Sequence, residues 1–367
     1  MPVYKVLAVM LITVIVVAST GCSANQSARP ALQPDAQKPA LAFTAQATPQ
    51  KTRTPVAPAA TAKAFTPSEV SYIEPCKEGC IGKITGVPEP LERPCGMALD
   101  KQGNLYISEF TKARVLKLGP DGRLLAAWGT PGKGDGQFRY AGGVAVDSHN
   151  EIYVSDVTGG RIQKFDADGH LLSVLGAGSG RGEELGNPGG LAVDMQDNLY
   201  VADDKADAIL KFDRQGKLLA KWGGQGSGEN QFRDPMGIYV DPQGMIYVAD
   251  YGNGRVVKLD HDGKFIGQWK KCSTADDISK YMAPAGVVAD DEGNVYVADN
   301  YASRICKFAA NGDFIGAYGK LGSAEGEFTG PIHVMLDEQD RLYVSEFGVI
   351  ERPANATGHR IQALWKP

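Results

Sequence analysis

An all-β ring of repeated sheets is the fold this sequence predicts, and three observations predict it. One unit recurs six times at a spacing of 47 to 49 residues, the apolar residues within each unit alternate with a period of two, and the last unit stops one strand short of the others. A fixed period of this length marks a repeat architecture, in which each unit buries its apolar face only against its neighbours.

The unit is plainest in GMALDKQGNLYISEF (96–110), which returns as GVAVDSHNEIYVSDV (143–157), GLAVDMQDNLYVADD (190–204) and GIYVDPQGMIYVADY (237–251). The fifth and sixth copies are GVVADDEGNVYVADN (286–300) and HVMLDEQDRLYVSEF (333–347). The aspartates Asp100, Asp147, Asp194, Asp241, Asp290 and Asp337 mark the register, 47, 47, 47, 49 and 47 residues apart. A period of two is that of strands. The links DKQGN, DEGN, GPDGR and HDGK carry the Asp/Gly chemistry of tight hairpins. Each unit is therefore four antiparallel strands, a to d. Strand a carries small residues (Ala98, Ala145, Ala192, Ala289) and strand d ends in large ones (Trp128, Trp222, Trp269, Tyr318). Such a taper suits a wedge, narrow at a central axis and wide at the rim. Six wedges make a six-bladed β-propeller.

The ends of the chain state how the ring closes. The sixth unit ends on its third strand, HRIQALW (359–365), while IGKITG (81–86) precedes the first strand a and resembles the strand-d segment IGAYGK (315–320). The N-terminal strand is expected to complete the last blade, which removes exposed sheet edges.

Ahead of the propeller (71–367) lie two segments of other composition. Residues 1–21 read as a lipoprotein signal peptide: Lys5, then the apolar run VLAVMLITVIVVA (6–18), then Ser19-Thr20-Gly21 before Cys22. The run is shorter than the roughly 20 residues of a membrane span and fits a secretory h-region. The small residues and the cysteine resemble a bacterial lipobox, in which Cys22 becomes the lipidated N-terminus and palmitate-type chains form the membrane anchor. Each buried methylene contributes about 0.8 kcal/mol to anchoring. Residues 22–70, rich in Ala, Pro, Gln and Thr, read as a disordered tether.

Charge excludes one function class. Of 38 basic and 43 acidic residues, six basic (Lys5, Arg29, Lys38, Lys51, Arg53, Lys63) and two acidic (Asp35, Glu69) fall in the first 70, which leaves the propeller at −9. A nucleic-acid partner needs a basic footprint, so none is expected.

The repeated unit resembles the NHL repeat. The segments NPGGLAVDMQDNLYVAD (187–203) and DPMGIYVDPQGMIYVADYGNGRVVKL (234–259), with the Gly-rich linkers WGTPGKGDGQF (128–138) and WGGQGSGENQF (222–232), carry the resemblance over roughly 280 residues. It implies the propeller fold. It does not imply one function, since the family and its relatives include RNA-binding proteins, receptor sensor domains, a zinc-dependent amidating lyase, streptogramin lyases and lactonases.

Several residues are candidates for chemistry. Strand b of every unit ends in an acid (Glu109, Asp156, Asp203, Asp250, Asp299, Glu346), and strand c opens on Arg114, Arg161, Arg255, Arg304 and Arg360. One acid and one base per blade at nearly constant spacing is a structural pair holding the b–c loop, because function rarely needs all blades alike. Blade three has Ala208 for the arginine, leaving Asp203, Asp204 and Asp207 beside Lys205. Such carboxylates suit Ca²⁺, although a solvated acidic loop is the simpler reading. Blade six has His333 where the others have Gly96, Gly143, Gly190, Gly237 and Gly286. A histidine at the channel mouth is a candidate base or ligand. Zinc, however, takes three or four protein ligands, and only His359 can approach; His149, His170 and His261 fall in turns on the opposite face. No cofactor is therefore expected, because neither Ca²⁺ nor Zn²⁺ has a full ligand set.

The face holding the b–c and d–a connections is the candidate binding surface. Phe110, Tyr251, Tyr301 and Phe347 follow the strand-b acids, and the enlarged b–c connection of blade six, GVIERPANATGH (348–359), adds Arg352 beside His333. Aromatic residues and arginines are favoured interface anchors, and long loops on a rigid scaffold carry recognition. Five cysteines remain beyond Cys22, in a compartment that permits disulfides. Cys76 and Cys80 are a candidate pair at the start of the closing strand, while connectivity stays open in sequence.

The expected function is that of an extracytoplasmic, lipid-anchored scaffold in the cell envelope, at the outer membrane or cell surface. It would bind a protein, peptide or glycan through the top face. The alternative is a propeller lyase or lactone hydrolase with an active site at the channel mouth near His333.

Overall fold

The computed structural model describes residues 91–176, 185–272, 282–324, 326–348 and 359–365. The segments assigned to signal, tether and closing strand, the pair Cys76–Cys80 and Arg352 lie outside the described residues.

Six antiparallel sheets follow one another along the chain. Their inner strands a are Pro94–Leu99, Ala141–Val146, Pro188–Val193, Pro235–Val240, Pro284–Ala289 and Pro331–Leu336. Strands b are Leu105–Glu109, Ile152–Asp156, Leu199–Asp203, Ile246–Asp250, Val295–Asp299 and Arg341–Phe347. Strands c are Arg114–Leu118, Arg161–Phe165, Ala208–Phe212, Arg255–Leu259, Arg304–Phe308 and His359–Trp365. Outer strands d are Leu124–Trp128, Leu171–Gly176, Leu218–Gly223, Phe265–Trp269 and Phe314–Tyr318; blade six has three strands among the described residues. Among those residues no helix is long and apolar enough to cross a membrane.

Position in the wedge explains the composition of each strand. In blades one to five strand b is buried at every residue, because neighbouring blades cover both its faces; such strands lose alternation and become continuously apolar. Strand d alternates, as in Leu124–Trp128, where every second residue faces water.

Each inner strand lies against the inner strand of the next blade, and the sixth returns to the first. Backbone meets backbone there, which is why glycine recurs. A Cβ on Gly143 would sit 2.5 Å from the Gly189 carbonyl oxygen, and one on Gly286 would sit 2.8 Å from the Cα of His333. Three serines in strand b stitch consecutive blades across this ring. Ser345 Oγ donates to the Cys95 carbonyl at 2.7 Å, Ser108 Oγ to the Gly142 carbonyl, and Ser155 Oγ to the Gly189 carbonyl at 2.8 Å. The first of these joins blade six to blade one.

The repeated aspartate organises the opposite, bottom face. Asp147 Oδ1 accepts the His149 and Glu151 amides at 3.0 and 2.9 Å, and its Oδ2 accepts the hydroxyl of buried Tyr153 at 3.3 Å. The same two amides and one tyrosine recur at Asp100, Asp194, Asp241, Asp290 and Asp337. A buried phenol without a partner would cost about 1–3 kcal/mol; the aspartate removes that cost once per blade. A cation caps each ring: Lys164 Nζ lies 4.8 Å from the Tyr153 centroid, and in blade six Arg341 takes the role over Tyr343.

Among the described residues one covalent link crosses two blades. Cys272, just past strand d of blade four, is bonded to Cys306 in strand c of blade five, with Cα atoms 5.6 Å apart. Cys95 is free, and burial pushes its thiol up to about 12, so it is unreactive at neutral pH.

Candidate binding site at the channel mouth

The strand-b acid is the hub from which the mouth is built. In blade four, Asp250 Oδ1 accepts the Arg233 amide at 2.8 Å and its Oδ2 accepts Arg255 Nε at 2.7 Å. Arg255, 2% exposed, spreads its other nitrogens over the carbonyls of Ser227, Gly228 and Gln231 at 2.7 to 3.0 Å. Asp156–Arg161 (3.1 Å), Asp299–Arg304 (3.1 Å), Glu346–Arg360 (2.6 Å) and Glu109–Arg114 are paired in the same way. Each acid thus clamps the incoming d–a loop and the arginine that holds it. Each of these acids is committed to its arginine, and Arg161, Arg255 and Arg360 also to loop carbonyls, so the pairs hold the mouth and do not line it.

What the hub presents are two positions per blade. One is the residue before strand a begins, in chain order Arg93, Tyr140, Asn187, Asp234, Ala283 and Gly330. The other is the residue after the acid, in order Phe110, Val157, Asp204, Tyr251, Asn300 and Phe347. Backbone hydrogen bonds join them, from the Phe110 amide to the Arg93 carbonyl at 3.1 Å, Val157 to Tyr140 at 3.1 Å and Asn300 to Ala283 at 2.9 Å.

These positions divide the mouth into two unlike sides. At blades six, one and two, Phe110 stacks on Tyr140 with centroids 4.6 Å apart and meets Phe347 edge-on at 5.2 Å; the Arg93 guanidinium lies 5.2 Å over the Phe347 ring. His359 is close by, and its pKa is lowered by burial and then by Arg93. At blades three and four one of the two positions is acidic, Asp204 beside Asn187 and Asp234 beside Tyr251. Burial, together with Asp203 and Asp234, pushes the Asp204 carboxyl up to about 7, and Asp204 Oδ1 is buried without a hydrogen-bond partner. Asp234 is raised by burial and by Asp207, whose Oδ1 accepts the Asp234 amide at 2.9 Å. The arginine that would neutralise this corner in another blade is Ala208.

His333 stands inside the mouth, two residues into strand a. Its Nδ1 is buried without a partner, and burial lowers its pKa to about 4, so the imidazole is neutral. Of the aromatic residues expected at the top, Phe110 and Phe347 come together. Tyr251 lies in blade four, half-buried with its pKa raised by burial, and Tyr301 is 81% exposed in blade five. Arg93, Tyr140 and Asp234 were not expected from the sequence. The signal that finds them is positional: each stands directly before the first residue of strand a, at the repeat's own spacing.

Metal centres fit poorly among the described residues. Cys272, Cys306 and Asp299 lie close together, but both sulfurs are in the disulfide. Asp147, His149 and Asp197 also converge, yet Lys164 Nζ and Arg214 Nε already stand 3.7 and 3.5 Å from Asp147 Oδ2. A cation there would meet a neutralised carboxylate.

The NHL repeat model matches residues 138–165, 232–259 and 282–308. These stretches run from the end of a d–a loop, or just before strand a, to the end of strand c in blades two, four and five. This is a six-bladed propeller carrying NHL repeats. The NHL propeller is similar in fold to a streptogramin B lyase (13% identity, TM-score 0.52, covering 76% of this chain and 95% of that one). It is also similar to virginiamycin B lyase from Staphylococcus aureus (13% identity, TM-score 0.54, 76% and 82% covered). A gluconolactonase from Xanthomonas campestris aligns at 19% identity and TM-score 0.52, with 75% and 86% covered. At these identities the likeness is one of architecture. No curated protein matches the chain at significant similarity.

Proposed function

We propose that this NHL propeller is a lipid-anchored scaffold of the cell envelope that binds a protein, peptide or glycan through the aromatic side of its mouth. The observation that carries this is the cluster of Phe110, Tyr140 and Phe347 with Arg93 laid over it. Flat rings beside a guanidinium suit sugar faces, aromatic side chains and carboxylates. Residence outside the cytoplasm is supported by the signal and lipobox pattern ending at Cys22 and by the Cys272–Cys306 disulfide, which an oxidising compartment preserves. The acidic balance of the propeller argues against nucleic acid.

The test is crosslinking on intact cells, followed by affinity measurement with the ligand so identified. The double change Phe110→Ala with Phe347→Ala is expected to weaken binding by about 30-fold, the loss of roughly 2 kcal/mol that anchor residues produce. Unchanged affinity would end the reading.

A second reading, a lyase or lactone hydrolase, is favoured by one observation, the unpartnered neutral imidazole of His333 inside the mouth. Metal analysis of the purified protein and of His333→Ala separates the two readings. Stoichiometric zinc or calcium that disappears with the histidine would favour the enzyme.

A further inference from the structure

We propose that the aromatic side of the mouth recognises an acidic glycan: the rings of Phe110, Tyr140 and Phe347 take the sugar faces, and Arg93 takes the carboxylate of a uronate unit. This rests on the binding role proposed above and names its ligand class. Two observations on Arg93, one chemical and one conformational, point to it.

The first is a cation without a counter-charge. The Arg93 guanidinium lies 5.2 Å over the Phe347 ring, and among the described residues it makes no ion pair and no hydrogen bond. The ring contact holds the cation but uses none of its N–H donors. The acids around it are engaged elsewhere. Glu109 is paired with Arg114 and accepts the Glu92 amide at 2.7 Å. Glu346 accepts Arg360 Nε and Gln362 Nε2, both at 2.6 Å. Glu92 Oε1 accepts the Thr111 hydroxyl at 2.7 Å. None of the three pairs with Arg93, so the partner left for it is an anion from outside. A planar carboxylate matches the guanidinium fork with two parallel bonds.

The second is a strained backbone. Arg93 has a φ of +48°, in the left-handed region that residues other than Gly, Asn and Asp rarely take. The equivalent residues before strand a in blades four and six are also left-handed, and they are Asp234 (+47°) and Gly330 (+64°), types that tolerate it. An arginine in this seat costs stability. Strain of this kind persists at ligand sites, where the side chain is needed.

The chemistry of this side favours a glycan over a peptide. Arg93 and the Tyr140 hydroxyl supply donors, while the neighbouring carboxylates are spent, so a ligand rich in acceptors is selected. A uronate chain brings carboxylate and ether oxygens, and its C–H faces suit aromatic rings. A peptide brings one N–H per residue, each of which needs an acceptor when buried. Across the mouth, Asp204 and Asp234 carry acceptors that a polyanion cannot use, which keeps such a chain on blades six, one and two.

The test is an NMR titration of the full chain with four probes: a galacturonate oligomer, the same oligomer methyl-esterified, a neutral glucan oligomer, and a peptide ending in phenylalanine with a free carboxylate. Galacturonate is expected to bind about tenfold more tightly than its ester, the loss of one charge-assisted pair. Arg93→Gly is expected to remove that advantage and leave the ester unchanged, while Tm holds or rises because the strain is relieved. Phe110→Ala is expected to weaken both oligomers. Equal affinity for acid and ester overturns the proposal, as does an Arg93→Gly protein that binds galacturonate as before; a fall in Tm with that result would make Arg93 structural. Tighter binding of the peptide through Arg93 also overturns it and assigns this side to a peptide. If no probe binds, the acidic-glycan assignment fails, while the scaffold reading still stands or falls on the crosslinking experiment, whose ligand can be of any class.

Discussion

The bottom face of this propeller is the same six times over, and the mouth is not. Below, every blade has an aspartate holding two turn amides and a tyrosine, with a cation over the ring. Above, positions set by acid–arginine hubs, complete in every blade but the third, carry Phe, Arg and Tyr on one side and Asp204 and Asp234 on the other. What is repeated holds the ring, because every blade faces the same packing problem. What varies on a repeated frame is free to recognise something.

Breaking a hub should have the largest effect. Arg255→Ala leaves Asp250 buried without its counter-charge and three loop carbonyls without donors. Loss of one partner of such a pair costs about 3–5 kcal/mol, so the midpoint of denaturant unfolding should fall sharply. The aromatic side of the mouth, two blades away, should keep its ligand affinity in whatever fraction remains folded. An Arg255→Ala protein of unchanged stability would mean the hubs are not the frame.

The disulfide comes next, and it crosses an interface that lacks the serine bond. Three interfaces, six-to-one, one-to-two and two-to-three, carry a strand-b serine bond across the ring; blades three, four and five have Ala202, Ala249 and Ala298 there. Cys272–Cys306 spans the interface after blade four, closing a loop of 34 residues. Chain-entropy reasoning gives about 3–4 kcal/mol for a loop of that length. Cys272→Ser with Cys306→Ser should lower stability by that order, and a reductant should do the same to the unaltered protein and nothing further to the variant.

The sequence shows the frame more readily than the mouth, for a physical reason. Asp100 with Tyr106, or Asp156 with Arg161, are close along the chain and recur in register, so a repeat exposes them. Cys272 and Cys306 meet only because strand d of one blade ends beside strand c of the next, which spacing alone does not reveal. Arg93, Tyr140 and Asp234 share an offset from strand a and no chemistry, so nothing in their residue types draws them together. Ser108, Ser155 and Ser345 pass for ordinary small residues until the neighbouring carbonyl is seen.

The smallest predicted effect sharpens the contrast between the two sides of the mouth. Asp204 titrates near 7 in the folded protein against an ordinary value of 3.8, because it is largely desolvated beside Asp203 and Asp234, with Ala208 where the other blades have an arginine. A raised folded pKa means that the folded state keeps a proton the unfolded state has already lost. Stability from this group is therefore fully present below about pH 4, declines as pH rises towards 7, and is gone above it. Asp204→Asn should match the unaltered protein near pH 4 and exceed it by about 1–2 kcal/mol at pH 8. Asp234, raised in the same direction, adds to the slope that remains. The aromatic side gives a control, since Phe110→Leu removes no titrating group and should shift stability equally at both pH values. If Asp204→Asn runs parallel to the unaltered protein from pH 4 to 8, the acidic side is solvated after all, and the mouth has one distinctive side instead of two.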